Sequence, residues 1–194
     1  MIDLSESQIE RYSRHILLKN VGVEGQEKLM NSKVLIVGVG GLGAPVAIYL
    51  AAAGIGSIGL IDGDKVEMSN LQRQIVHFTS DVGRLKVDSA KDKLTQLNPD
   101  VEIICYPTFL NAENAAEIIS HYDFVVDGTD SFATKFLIND TCVLLQKPFS
   151  YGGLRQFEGQ TMTYLPDHAC YRCLFGDDSD SASGPTCSQA GILG

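Results

Sequence analysis

The sequence predicts an α/β domain, a mostly parallel sheet flanked by helices, with an antiparallel extension after about residue 148. Three observations lead there. Short, β-branched apolar runs alternate with stretches of helical period between residues 33 and 145, and parallel strands need such crossovers. The first run, Lys33 to Val37, passes through Gly38-Val-Gly-Gly-Leu-Gly43 directly into a helical stretch. After Pro148 the texture changes, and Phe149 to Leu165 reads as two strands around Gly152-Gly153 and Glu158-Gly159.

Each element has a local cause. Ser5-Glu-Ser-Gln8 forms a capping box, with Gln8 reaching back to the cap, and opens a helix that runs to Leu18. Val21 to Asn31 is a weaker helix. Lys33 to Val37 is a buried strand, Leu42 to Ala53 a helix closed by Gly54, and Ser57 to Asp62 the next strand. Leu85, Ala90, Leu94 and Leu97 share one face of a helix over 84–97 that stops at Asn98-Pro99. Val101 to Tyr106 and Phe124 to Asp127 are strands; Asn111 to His121 and Ser131 to Leu145 are helices. Gly176 to Pro185 is acidic, rich in small residues and poor in apolar ones, so a mobile loop is expected. The whole is read as one domain over 1–194, with N-terminal helices in 1–31, nucleotide-binding βα units in 32–147, and strands, a CxxC pair and the acidic loop in 148–194.

Composition narrows the function. At 194 residues and 44% hydrophobic the chain can bury a real core. A net charge of −9 argues against a nucleic-acid partner, which needs a basic surface. No apolar run nears the ~20 residues of a membrane span, and the acidic start Met1-Ile-Asp-Leu-Ser-Glu is no leader, so the chain reads as cytoplasmic. Five cysteines, an odd number, favour metal or thiol chemistry over a secreted disulfide framework.

The glycine turn carries the chemistry. Gly38-x-Gly40-x-x-Gly43, with Gly41 between, sits between a strand and a helix. There glycines permit a tight turn and close approach of backbone to phosphate, and the helix start offers free N–H groups to an anion. Asp62, at the end of the next strand, could accept from ribose hydroxyls, or Asp62-Gly-Asp64 could simply end the strand. The glycines alone permit NAD, FAD or ATP. Asn70, Arg73 and Lys86 tip the balance, because a triphosphate must have its charge neutralised. Asp130, just past another strand, could hold Mg²⁺ together with phosphate oxygens, or could cap the helix from Ser131.

Arg11-Tyr-Ser-Arg14, the glycine turn, Asp62-Gly-Asp64, Ser69-Asn-Leu-Gln-Arg-Gln74, Gly83-Arg-Leu-Lys86, Asp127-Gly-Thr-Asp130 and Cys170-Tyr-Arg-Cys173 stand in order. Together, over Ile9 to Gly194, they closely resemble the ThiF/MoeB/HesA family of E1-like adenylyltransferases. The resemblance implies a Rossmann-like fold whose C-terminal part is missing here. It implies that Gly38, Gly40, Gly41, Gly43, Asp62 and Asp64 hold the adenosine end of ATP. Asn70, Arg73 and Lys86 would hold its phosphates, and Asp130 the Mg²⁺. Arg14 would reach into the site of a partner subunit, making the active unit a homodimer. The substrate implied is a ubiquitin-like sulfur-carrier protein ending in Gly-Gly, activated as an acyl-adenylate for thiamin or molybdopterin biosynthesis.

The cysteines are read separately. Cys170 and Cys173 make half of a tetrahedral Zn²⁺ site, whose second pair the family generally supplies near a C-terminus absent from this sequence. Their alternative is a pair of reduced thiols on a loop. Cys187 matches a family position that takes part in sulfur transfer in the thiamin branch. Cys105 and Cys142 fall in apolar patterns and read as buried small hydrophobes. His15, His77, His121 and His168 show no ligand spacing and are read as incidental. Three other readings stay open: a shortened, inactive nucleotide-binding module, an NAD-dependent oxidoreductase, and a tRNA- or peptide-modifying branch of the same family.

Overall fold

In the computed structural model, which describes residues 4–176, the expected alternation becomes a single six-stranded sheet. Its elements are α1 (Glu6–Ile16), α2 (Gly22–Asn31), β1 (Lys33–Val37), α3 (Gly43–Ala53), β2 (Ser57–Ile61), α4 (Lys86–Leu97), β3 (Glu102–Tyr106), α5 (Ala115–Ser120), β4 (Phe124–Asp127), α6 (Phe132–Leu144), β5 (Phe149–Arg155), β6 (Glu158–Tyr164) and α7 (Tyr171–Phe175). The sheet order is β3-β2-β1-β4-β5-β6, the doubly wound order with its reversal beside β1. All neighbours pair parallel except β5 and β6, which form the antiparallel extension. None of the described helices is long and apolar enough to cross a membrane.

Burial follows strand alternation. Leu35, Val37 and Val125 face one core with Ile118, Ile119 and Phe136 of α5 and α6. Val34, Ile36, Ile58 and Leu60 face the other with Ala44, Ala47 and Ala51 of α3 and Val87, Ala90 and Leu94 of α4. The three alanines let α3 lie close on the sheet, so the glycine turn that precedes it sits directly over the carboxyl ends of β1 and β4.

The capping box at Ser5 is present, with Gln8 N–H donating to Ser5 Oγ at 3.3 Å and Ser5 N–H to Gln8 Oε1 at 3.0 Å. Several boundaries differ from expectation. The helix placed at 84–97 starts at Lys86, because Leu85 is extended and bridges Lys65. The helix placed at 111–121 shrinks to α5. Asn111 Oδ1 accepts from the N–H groups of Glu113 and Asn114, and that side-chain turn takes the place of the first helical turn. Gly152 and Gly153 lie inside β5 rather than at a turn, which instead falls at Gln156-Phe157, with Gln156 at φ 54°. The CxxC pair is not on a loop: Cys170 precedes α7 and Cys173 lies within it. The acidic loop and Cys187 lie outside the described residues.

Candidate active site

The glycine turn runs from the end of β1 to the start of α3. Gly38 adopts φ 86°, a left-handed conformation that favours glycine, and its N–H closes on Ile61 O at 2.9 Å. Gly43 is needed for space: a Cβ there would lie 1.8 Å from Gly38 O. Val39 N–H donates to Asp62 Oδ2 at 2.8 Å, while Asp62 Oδ1 takes the N–H of Asp64 at 2.8 Å. Asp62 is thus a buried carboxylate that shapes the turn, and the lone pairs left on its oxygens are what a ribose hydroxyl could use. The N–H groups of Gly40, Gly41 and Leu42 have no partner among the described residues. Unpaired donors at a helix start form an anion cradle.

Side chains from the segment after β2 close on this cradle. Arg73 lies along Gly41, where a Cβ would meet its Cγ and Cδ at 3.4 Å. Its Nη1 donates to Ser69 O at 3.1 Å, which fixes the stem. Asn70 Oδ1 accepts from Glu67 N–H at 3.2 Å and holds the same short turn, Met68–Asn70. Lys86, the first residue of α4, is buried, with Nζ 2.9 Å from Asp64 Oδ2 and 3.9 Å from Asp62 Oδ2. A bound triphosphate would give this ammonium a third anionic partner.

The opposite wall is the loop after β4. Gly128 packs on the turn: a Cβ on it would lie 2.9 Å from Gly43 N and 3.0 Å from Gly38 O. Asp127 is buried and holds the loop, since its Oδ1 accepts from Thr129 N–H (2.9 Å) and Thr129 Oγ1 (2.7 Å). Lys135 of α6, also buried, donates to Asp127 Oδ2 at 3.2 Å and to Gly152 O at 2.8 Å. Helix α6 is capped by Ser131, whose Oγ accepts from Thr134 N–H, so the capping role considered for Asp130 belongs to Ser131. Asp130 is exposed, with no hydrogen-bond or ionic partner among the described residues. A free carboxylate on the loop whose Gly128 packs against the turn fits Mg²⁺, which takes one or two carboxylates plus phosphate oxygens.

Beside Leu42 a cleft of about 370 Å³ opens between α3 and the β5–β6 hairpin, walled by Val46, Val126, Gly152, Leu154 and Thr161. It lies over the part of the sheet that α3 and α4 leave bare, and Asp127 and Gly128 join it to the cradle.

Other candidates stand apart. Arg14 is exposed on α1, whose Tyr12 packs on Gly54 at the far end of α3, about 16 Å along the helix from the turn. Within one chain Arg14 does not join the cradle. Cys170 and Cys173 are also remote, on α7, their sulfurs 3.7 Å apart. Asn139 Oδ1 accepts from Tyr171 N–H at 2.8 Å, and Asp140 pairs with Arg172 at 2.6 Å, so α6 fixes the start of α7. Burial raises the Cys170 thiol, but hydrogen bonds from the Cys173 backbone and thiol, the Arg172 N–H and the Asn139 amide outweigh it and hold it below the ordinary thiol value. Among the described residues no group of three or more His, Cys, Asp or Glu could hold a metal. The thiol pair supplies two ligands where a structural zinc site takes four.

Four residues of the site had gone unassigned. Asp127 and Lys135 are the buried pair above. Gln74 is buried with its Oε1 unpaired and its amide nitrogen 3.5 Å from where a Cβ on Gly40 would be. His77, read as incidental, is buried and bonds Val39 O at 3.1 Å and Ser89 Oγ at 2.9 Å. Burial, offset in part by the Val39 carbonyl and reinforced by Lys86, holds its imidazole below the usual 6.5. Only the polar run Gln72-Arg73-Gln74 hinted at Gln74, and nothing in the sequence marked His77.

The model of the ThiF family matches residues 12–194. This chain belongs to the ThiF family. It is 48% identical over 192 residues to the adenylyltransferase and sulfurtransferase MOCS3 of Culex quinquefasciatus, covering 98% of this chain and 44% of that protein. It is 44% identical over 196 residues to the sulfur carrier protein adenylyltransferase of Thermus thermophilus, covering 98% and 72%. The crystal structure of E. coli MccB with succinimide matches with a TM-score of 0.77 at 32% identity, covering 84% of this chain and 51% of MccB. The ThiF-family chain therefore spans less than half the length of the first relative and about half of MccB.

Proposed function

We propose that this chain carries the adenylation chemistry of an ATP-dependent adenylyltransferase. Its substrate would be the C-terminal Gly-Gly carboxylate of a ubiquitin-like sulfur-carrier protein. The observation that carries the reading is a turn with unpaired N–H groups against which Arg73 packs, with Lys86 beside the Asp62 that holds the turn; the loop whose Gly128 packs on the same turn carries Asp130. Relatives named as adenylyltransferases of sulfur carriers support it.

In this reading Gly40, Gly41 and Leu42 N–H, with Arg73 and Lys86, hold the phosphates. Asn70 orients the segment that carries Arg73. Asp62 and Asp64 hold the ribose end and keep Lys86 extended toward the phosphates. Asp130 would hold Mg²⁺, which would supply further neutralisation of phosphate charge. The carrier's carboxylate oxygen bonds to the α-phosphorus as the bond to the β-phosphate oxygen breaks. Acyl-adenylate forms and pyrophosphate leaves. The nucleophile is already an anion, so no base is required, and catalysis is charge neutralisation and in-line placement. The apolar, glycine-walled cleft at Leu42 and Gly152 suits a narrow extended tail. Arg14, too far from its own cradle, serves the site of a second copy, which makes the working unit a homodimer. The carrier's pathway is that of thiamin or molybdopterin.

The test is exchange of labelled pyrophosphate into ATP. With Mg²⁺ and a carrier ending in Gly-Gly, exchange is expected, and it disappears when the last glycine is removed. ATP binding without carrier-dependent exchange would overturn the reading and leave a nucleotide-binding module.

A further inference from the structure

We propose that His77 is a positioning residue for the nucleotide, turning the Val39–Gly40 peptide so that the Gly40 N–H faces the bound phosphate. The proposal rests on the reading of the turn as an ATP cradle. Val39 is gripped from both sides: Asp62 Oδ2 takes its N–H at 2.8 Å, and His77 Nε2 lies 3.1 Å from its carbonyl oxygen. The peptide that follows is trans, as are all those described. In a trans peptide the C=O and the next N–H point in opposite directions. A carbonyl drawn onto His77 therefore aims the Gly40 N–H away from His77, and that N–H has no partner among the described residues.

The Val39 carbonyl fixes where one ring hydrogen sits. A carbonyl only accepts, so Nε2 carries the hydrogen. Nδ1 lies 2.9 Å from the Ser89 hydroxyl, which can donate to it or to Asp81, and Ser89 Oγ accepts from Lys93 Nζ at 3.4 Å. The charged groups around the ring are Lys86 and Lys93 of α4, Asp81 of the short turn Thr79–Asp81, and Asp62 after β2. A second ring proton would turn the Ser89 hydroxyl from the ring toward Asp81. His77 is 4% exposed and Ser89 fully buried, so neither reaches the nucleotide. Ser89 lies one turn beyond Lys86 on α4. The imidazole thereby ties the backbone donor and the lysine to one helix.

The test uses the 194-residue chain, a non-hydrolysable ATP analogue with Mg²⁺, calorimetry for affinity and amide NMR for Gly40. His77→Leu is expected to weaken binding about tenfold and to change the Gly40 amide signal and its solvent exchange. His77→Gln, whose amide nitrogen can donate to the same carbonyl, is expected to restore most of the affinity at equal thermal stability. Ser89→Ala, which frees the ring, is expected to fall between, and it carries the test together with His77→Gln if the leucine variant does not fold. Because the imidazole is held below its ordinary value, wild-type affinity should fall more steeply than that of His77→Gln only at pH below the usual histidine range. Unchanged affinity and Gly40 amide in His77→Leu, or equal loss in the leucine and glutamine variants, would overturn the role of His77 alone. Failure of the wild-type chain to bind the analogue would overturn the ATP reading beneath it.

Discussion

Lys135 Nζ lies 3.2 Å from Asp127 Oδ2, and both side chains are almost wholly buried. The pair does more than cancel charge. The same ammonium bonds Gly152 O on the cleft wall, and the same carboxylate holds Thr129 in the loop that presents Asp130. Lys135→Met should leave Asp127 charged without its cation, at a cost of about 3–5 kcal/mol read by urea unfolding. Adding Asp127→Leu should return much of that stability, because an apolar pair replaces an ionic one. ATP affinity should stay low in the double variant, since Thr129 and Asp130 lose their anchor. Recovery of both would show that the pair is only structural.

The glycines of the turn should respond unequally. Gly43→Ala sets a Cβ 1.8 Å from Gly38 O, backbone against backbone, whereas Gly40→Ala meets only the Gln74 amide at 3.5 Å. The first should destabilise by about 1–3 kcal/mol or more and abolish nucleotide binding. The second should keep the melting temperature within a few degrees and still weaken ATP. Thermal denaturation with and without ATP separates them.

Arg73 and Lys86 should differ in how they fail. Among the described residues Arg73 bonds Ser69 O alone, so Arg73→Ala should cost roughly ten- to a hundredfold in ATP affinity with little loss of stability. Lys86→Ala should cost similar affinity and also stability, because buried Asp62 and its neighbour Asp64 lose their cation. Titrations at two salt concentrations, paired with urea melts, check both.

Cysteine chemistry should sort by environment. Burial, then the charge of Asp127, pushes the Cys142 thiol up to about 12, whereas Cys170 sits below the ordinary value. Iodoacetamide at pH 7.5 should modify Cys170 on the order of a hundredfold faster than Cys142, as followed by peptide mass spectrometry. Asn139→Ala should slow Cys170, since it removes one of the bonds to the thiol and frees the Tyr171 N–H. Equal rates at Cys170 and Cys142 would refute this account.

What sequence could reveal was whatever is encoded nearby. The run from Lys33 to Gly43 contains its own strand, turn and helix start, and Asp62 follows after one crossover, so the cradle was legible. Helix lengths at Asn111 and Leu85 were not, because a side-chain turn and a single bridge override the apolar period there. The supports of the site escaped for a different reason. His77 meets Val39 across 38 residues of chain, and Lys135 meets Gly152 across 17. A solitary histidine or lysine looks the same in sequence whether it is solvated or buried, and only the packed sheet brings its partner within reach.

Tyr12 of α1 is clasped at its hydroxyl by Asn98 Nδ2 at 2.8 Å, the same amide that donates to Ala51 O, and its ring fills the space left by Gly54. The first helix is therefore a rivet through the ends of α3 and α4, not a loose leader. A version of this chain begun at β1 would keep every strand and every cradle residue. It would expose the apolar floor at Gly54 and lose the helix that carries Arg14, so protein engineering of this domain must keep α1 with its sheet.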